Sequence, residues 1–83
     1  MLHSKKEKLI RYKALSNPIR LDIAFLLVKK ELSVGEIAKK IGQSMSTVSH
    51  ALNYLRKAGI VEVKLVDKNK RHYGFTQDTL KKK

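Results

Sequence analysis

Ser46, His50, Asn53 and Lys57 recur at intervals of four, three and four residues, the spacing that stacks side chains on one face of an α-helix. Ser49 flanks the row, and nothing on that face is a large hydrophobe. Short hydrogen-bonding side chains of this kind can approach base edges in a DNA groove, and a cation can meet a phosphate. Ser44 and Ser46 stand where free N–H groups and the positive end of a helix dipole favour an anion. Thr47 lies nearer the inner side, yet from the first turn it can reach a backbone phosphate or a thymine methyl. Lys68, Lys70 and Arg71 form a second group in a turn-rich stretch, and a hairpin needs no such run of cations for its own stability. Taken singly, a Ser or Asn on an exposed helix face is common, and Ser44 can be no more than a cap. What singles them out is the agreement of polar face, basic turn and overall charge.

That charge is large. Nineteen Lys+Arg against seven Asp+Glu in 83 residues leave +12, so a partner of opposite charge is expected, with nucleic acid first. The hydrophobic fraction of 42% is ordinary for a folded domain. A chain this short buries roughly 60–65% of its unfolded surface, so a dimer partner would help. With no Cys, disulfides, thiolate metal sites and cysteine nucleophiles are excluded. His3, His50 and His72 show neither the i, i+4 spacing nor the carboxylate company of a metal site, so no metal is expected. Scattered acids, no Gly-rich phosphate loop and no Ser with a His/Asp neighbourhood argue against catalysis, and no cofactor is implied. The longest apolar run, Ile23 to Val28, is far too short to span a membrane. Met1–Leu15 has no signal-peptide core, so an intracellular, soluble protein is expected.

The elements that must position these groups follow from the punctuation of the chain. Residues 1–83 read as one domain. Leu2 to Leu15 is a basic amphipathic helix with Leu9, Ile10, Tyr12 and Leu15 among its lysines. Asn17 can cap the next helix, and Pro18 suits its first position. That helix runs to about Lys30, is apolar on most sides, and is expected at the domain centre. Ser33 and Glu36 fit a capping box, with Ile37, Ala38 and Ile41 buried behind it and Gly42 as the stop. Ser44 opens a helix from about Met45 to Ala58 whose inner side carries Val48, Ala51, Leu52 and Leu55. Residues 33–58 therefore form a helix-turn-helix. After Gly59 the period changes to two, and Ile60 to Val66 reads as a strand. Asp67 to Lys70 is a four-residue turn, and Arg71 to Thr76 returns as a second strand. The fold class is mainly α with a small β-hairpin at 60–76, a winged helix-turn-helix. Residues 77–83, ending Lys81-Lys82-Lys83, read as a solvated basic tail.

At this point the chain resembles a known group. Lys13-Ala14-Leu15-Ser16-Asn17-Pro18-Ile19-Arg20-Leu21-Asp22-Ile23 is similar to the opening motif of ArsR-type winged-helix repressors. Glu31-Leu32-Ser33-Val34-Gly35-Glu36-Ile37-Ala38 resembles their next segment. Ser46-Thr47-Val48-Ser49, Leu52 and Leu55-Arg56-Lys57-Ala58-Gly59-Ile60-Val61 resemble their recognition helix and its exit. The resemblance covers about residues 13–76 and implies a homodimeric DNA-binding transcriptional regulator, usually a repressor. It assigns the DNA-contacting helix to Ser44–Ala58 and the wing to Val61–Thr76. It also implies cysteines, in the metal-sensing members, where Ser33 and Gly35 stand here. The family often adds a helix after the wing that builds the dimer. Only Gln77 to Lys83 follow here, so the dimer is expected to rest on the N-terminal helix 1–15, whose apolar stripe could equally pack within its own subunit.

The expected partner is double-stranded DNA, with the Met45–Ala58 helix in the major groove and the wing on the backbone or in the minor groove. The expected location is a prokaryotic cytoplasm, on the nucleoid. Two rivals use the same features, a nonspecific architectural DNA-coating protein and a winged-helix module that docks a protein. The nearly charge-free row Ser46, Ser49, His50 and Asn53 favours base reading over coating, and the basic wing speaks against hydrophobic docking.

Overall fold

A computed structural model describes residues 5–76. The first four residues and the 77–83 tail, with Leu2, His3 and the terminal lysines, lie outside the described residues. Within it the order is α1 (Lys5–Ala14), α2 (Pro18–Lys29), β1 (Leu32–Ser33), α3 (Val34–Ile41), α4 (Met45–Lys57), β2 (Val61–Asp67) and β3 (Lys70–Phe75).

The helix ends are chemical. Asn17 Oδ1 accepts the Arg20 N–H at 3.1 Å with Pro18 at the first position of α2, and such a cap is worth about 1 kcal/mol. The capping box of α3 is complete. The Glu36 N–H donates to Ser33 Oγ at 3.2 Å, and the Ser33 N–H donates to Glu36 Oε1 at 2.9 Å. Gly42 stops α3 with φ 69°, a left-handed turn that a side chain would strain. Ser44 Oγ then accepts the Thr47 N–H at 3.0 Å and starts α4. At the far end the Gly59 N–H reaches Arg56 O and the Ile60 N–H reaches Leu55 O, both at 3.0 Å. This double bond pattern closes the helix and aims Ile60 inward.

One core lies under these elements. Ile23 of α2, Ile37 of α3, and Val48, Leu52 and Leu55 of α4 are within 1% of full burial, as is Val61 at the base of β2. Truncating any of the larger ones to Ala should cost about 2–5 kcal/mol. The inner side of α4 is the one expected. Helix α2 is not. It buries Ile23, Ala24 and Leu27 but leaves Leu21, Phe25 and Val28 in solvent, Phe25 at 62% exposure. Ile19 and Leu26 pack on the core half-buried, so α2 gives one side to α3, α4 and the sheet and leaves the other in solvent.

The hairpin is larger than expected. Leu32 and Ser33 pair antiparallel with Tyr73 and His72, giving a three-stranded sheet in the order β1-β3-β2. So short a strand carries no periodic signal. The turn is shorter than expected. Asp67 and Lys70 pair as the last rung, leaving Lys68 and Asn69, both at positive φ, as a two-residue turn whose twist matches the strands. In β2 the register steps from Val63↔Tyr73 to Leu65↔His72, so Lys64 is the extra residue of a bulge. The alternation breaks there, and Leu65 and Val66 beyond it are exposed. Gly74 faces this bulge. A Cβ on it would meet Lys64 Cγ and Glu31 Cγ at 3.0 Å, so a larger residue would push these stems off the sheet.

Candidate nucleic-acid interface

Burying Val48, Ala51, Leu52 and Leu55 turns the other side of α4 outward. Ser46, Ser49, His50, Asn53 and Lys57 are all exposed there, and Thr47 is half-buried. Ser44 is exposed but engaged, because its hydroxyl caps α4 and donates to Thr47 Oγ1 at 3.0 Å. Lys68, Lys70 and Arg71 are exposed at the wing.

The structure brings part of this set together. Between α4 and the wing lies an open cleft of about 390 Å³, with Ser49, His50, Asn53 and Arg56 on the helix side and Arg71 and Tyr73 on the wing side. A broader groove of about 910 Å³ runs from the start of α3 to the wing tip and takes in Ser49, Lys39, Gln43, Met45, Lys70 and Arg71. Ser49, Arg71 and Tyr73 border both. Ser44, Ser46, Thr47, Lys57 and Lys68 line neither of these two hollows. The last two stand at the far end of the helix and the tip of the turn.

Two cations had not been singled out. Arg56 sits in the cleft, its guanidinium Nη2 donating to Asn53 Oδ1 at 2.7 Å. Its helical angle is within about one residue's offset of Ser49, so the flank that admitted Ser49 could have admitted Arg56. Lys39 reaches the broader groove from α3, a tertiary proximity that no spacing in the chain announces.

The base of the wing is tied to the helix-turn-helix. His72, opposite Ser33 in the sheet, has Nδ1 3.9 Å from Glu36 Oε1. The Ser33 backbone N–H holds the Glu36 carboxyl below its ordinary range, aided by the Ser33 hydroxyl and by the charges of His72 and Lys30, against a smaller desolvation effect. At the positions where the resemblance implies metal-binding cysteines, the Ser33 hydroxyl is used by its cap and Gly35 has no side chain. Among the described residues no three His, Cys, Asp or Glu side chains gather as metal ligands. No helix among them is long and apolar enough to cross a membrane.

A model of the bacterial regulatory proteins of the arsR family matches residues 17–63, from the cap of α2 to the base of the wing. The biofilm growth-associated repressor of Xylella fastidiosa is 46% identical over 52 residues, which are 63% of this chain and 46% of that protein. The transcriptional activator HlyU of Vibrio cholerae is 34% identical over 64 residues, 77% of this chain and 59% of its own. The solved structure of that HlyU overlays with a TM-score of 0.83 at 29% identity, over 95% of this chain and 86% of the other. The homodimeric winged helix-turn-helix DNA-binding domain Mb0332 of Mycobacterium bovis gives 0.81 at 31% identity, over 89% and 68%. The chain spans about half the length of the curated relatives it matches.

Proposed function

The chain belongs to the arsR family of bacterial regulatory proteins, with a winged helix-turn-helix fold, and from that premise we propose that it is a sequence-selective, homodimeric DNA-binding regulator of transcription, acting as a repressor at the nucleoid. The observation that carries this reading is the single surface on which the polar face of α4 and the basic wing adjoin across one cleft. An α-helix fits the width of the major groove, and docking the N-terminal half of α4 there sets Ser46, Ser49, His50 and Asn53 against base edges. Lys57, Lys68, Lys70 and Arg71 then face phosphates or the adjacent minor groove, and Ser44 and Thr47 meet the backbone at the helix start.

Homodimerisation is supported by the homodimeric neighbour and by α1, whose Leu9 and Tyr12 are 65% and 69% exposed and pack on nothing in their own subunit that would hide them. Repression follows the biofilm growth-associated repressor, while HlyU, among the same relatives, is named an activator.

Selection of bound sequences from a random double-stranded DNA pool at about 150 mM salt, with the mass of the complex measured by light scattering, tests the whole. The expected result is an enriched palindrome with half-sites one helical turn apart, bound by two chains. Binding without enrichment would instead make this a DNA-coating protein, and no binding at that salt would point to a protein partner for the wing.

A further inference from the structure

Asn53 does not stand alone on the face of α4. Its side-chain oxygen accepts a charge-assisted bond from Arg56 Nη2 at 2.7 Å, one helical turn along, and both residues line the cleft beside the wing. Guanidinium groups carry donors only, so the end of the Asn53 amide that faces Arg56 must be the oxygen, and the amide NH₂ must point the other way. An unrestrained Asn reads adenine by using both ends of its amide at once, donating to N7 and accepting from N6. Here the accepting end is turned toward Arg56, with one of its two lone pairs already used. What the pair turns outward is the Asn53 NH₂ with the remaining N–H groups of Arg56 beside it, a unit richer in donors than in acceptors. Guanine is the only base with two acceptors, N7 and O6, on its major-groove edge.

We infer that Arg56 is a positioning residue that orients the Asn53 amide with its NH₂ toward the DNA, so that this pair favours guanine over adenine in each half-site. The inference rests on the DNA-binding reading above and goes beyond it by naming the base and the residue that decides it.

The test is the same selection with the full chain, run for the wild type, Asn53→Ala, Arg56→Ala and Arg56→Lys. Asn53→Ala identifies the position, as the one base whose preference flattens. At that position the wild type should prefer guanine over adenine by about tenfold to a hundredfold, the discrimination of one good bidentate contact. Arg56→Ala should shift the preference there toward adenine, and Arg56→Lys, still a donor within reach of the amide oxygen, should keep guanine ahead. A merely structural Arg56 would leave base preference alone. Adenine already preferred by the wild type, no position flattened by Asn53→Ala, or an Arg56→Ala protein weakened equally on all sequences would each overturn the inference, the last making Arg56 a phosphate contact. A wild type that enriches no sequence at all would defeat the regulator reading itself, which is a different result.

Discussion

The guanidinium carbon of Arg20 lies 3.8 Å from the centre of the Tyr54 ring, joining the first turn of α2 to the outer flank of α4. The same side chain donates from Nε to Ala14 O at 2.7 Å and from Nη2 to Lys13 O at 3.3 Å. One arginine thus ties the end of α1, the start of α2 and the proposed recognition helix. Tyr54 lies between Asn53 and Arg56 on its helix, so this contact braces α4 beside the face proposed to meet DNA. In a double-mutant cycle of Arg20→Ala with Tyr54→Leu, monitored by urea unfolding, the coupling should be about 0.5–2 kcal/mol. Arg20→Lys should keep only part of it, because an ammonium lacks the planar guanidinium that lies flat on the ring while its fork reaches two carbonyls. Additive effects would mean the two groups lie together without holding α4.

The wing offers Lys68 at the turn and Lys70 on the last rung, both exposed. Replacing both with Ala should lower the slope of log K against log[salt] by about two, if each neutralises one phosphate. Titration of one DNA duplex by fluorescence anisotropy over several salt concentrations reads this directly. An unchanged slope removes the wing from the interface.

His50 is exposed on the cleft side of α4. His50→Ala is expected to reduce discrimination between a selected site and a single-base variant by about 1–3 kcal/mol, with little change in affinity for random DNA. Equal losses on both would assign His50 to the backbone.

Acid should unpick the start of α3. The folded carboxyl of Glu36 sits below its ordinary value of 4.5, chiefly through the Ser33 N–H. A depressed folded value means that the stability it contributes is complete above the ordinary value and is lost as pH falls through the lowered one. Unfolding free energy should therefore decline below about pH 4.5, and Glu36→Gln should flatten that part of the profile while lowering stability at neutral pH. A variant with the wild-type acid limb would assign that limb to other carboxylates.

The apolar stripe of α1 should govern assembly. Leu9→Glu with Tyr12→Glu replaces two exposed side chains that the fold itself does not bury, so the monomer should stay folded by circular dichroism while light scattering reports half the mass. A mass unaffected by the pair would move the interface elsewhere, for instance to the exposed Phe25 side of α2.

Much of this molecule was written locally. The caps at Asn17, Ser33 and Ser44, the box closed by Glu36, the stop at Gly42 and the inward row Val48, Ala51, Leu52 and Leu55 all depend on neighbours within about four residues, which is why spacing alone placed them. The exposed row from Ser46 to Lys57 followed as its complement. What the chain could not announce are relationships across it. Leu32 and Ser33 become a strand only because Tyr73 and His72 arrive to pair with them. Lys64 becomes a bulge only against β3, and Leu65 and Val66 beyond it stay exposed although both are apolar. Lys39 and Arg71 share a groove, and Arg20 finds Tyr54, only once α2, α3 and the sheet have closed on one core. Hydrogen bonds and periodicity act along a few residues of backbone and are legible there, whereas packing selects among distant partners by burial and shape, and that selection exists only in the folded chain.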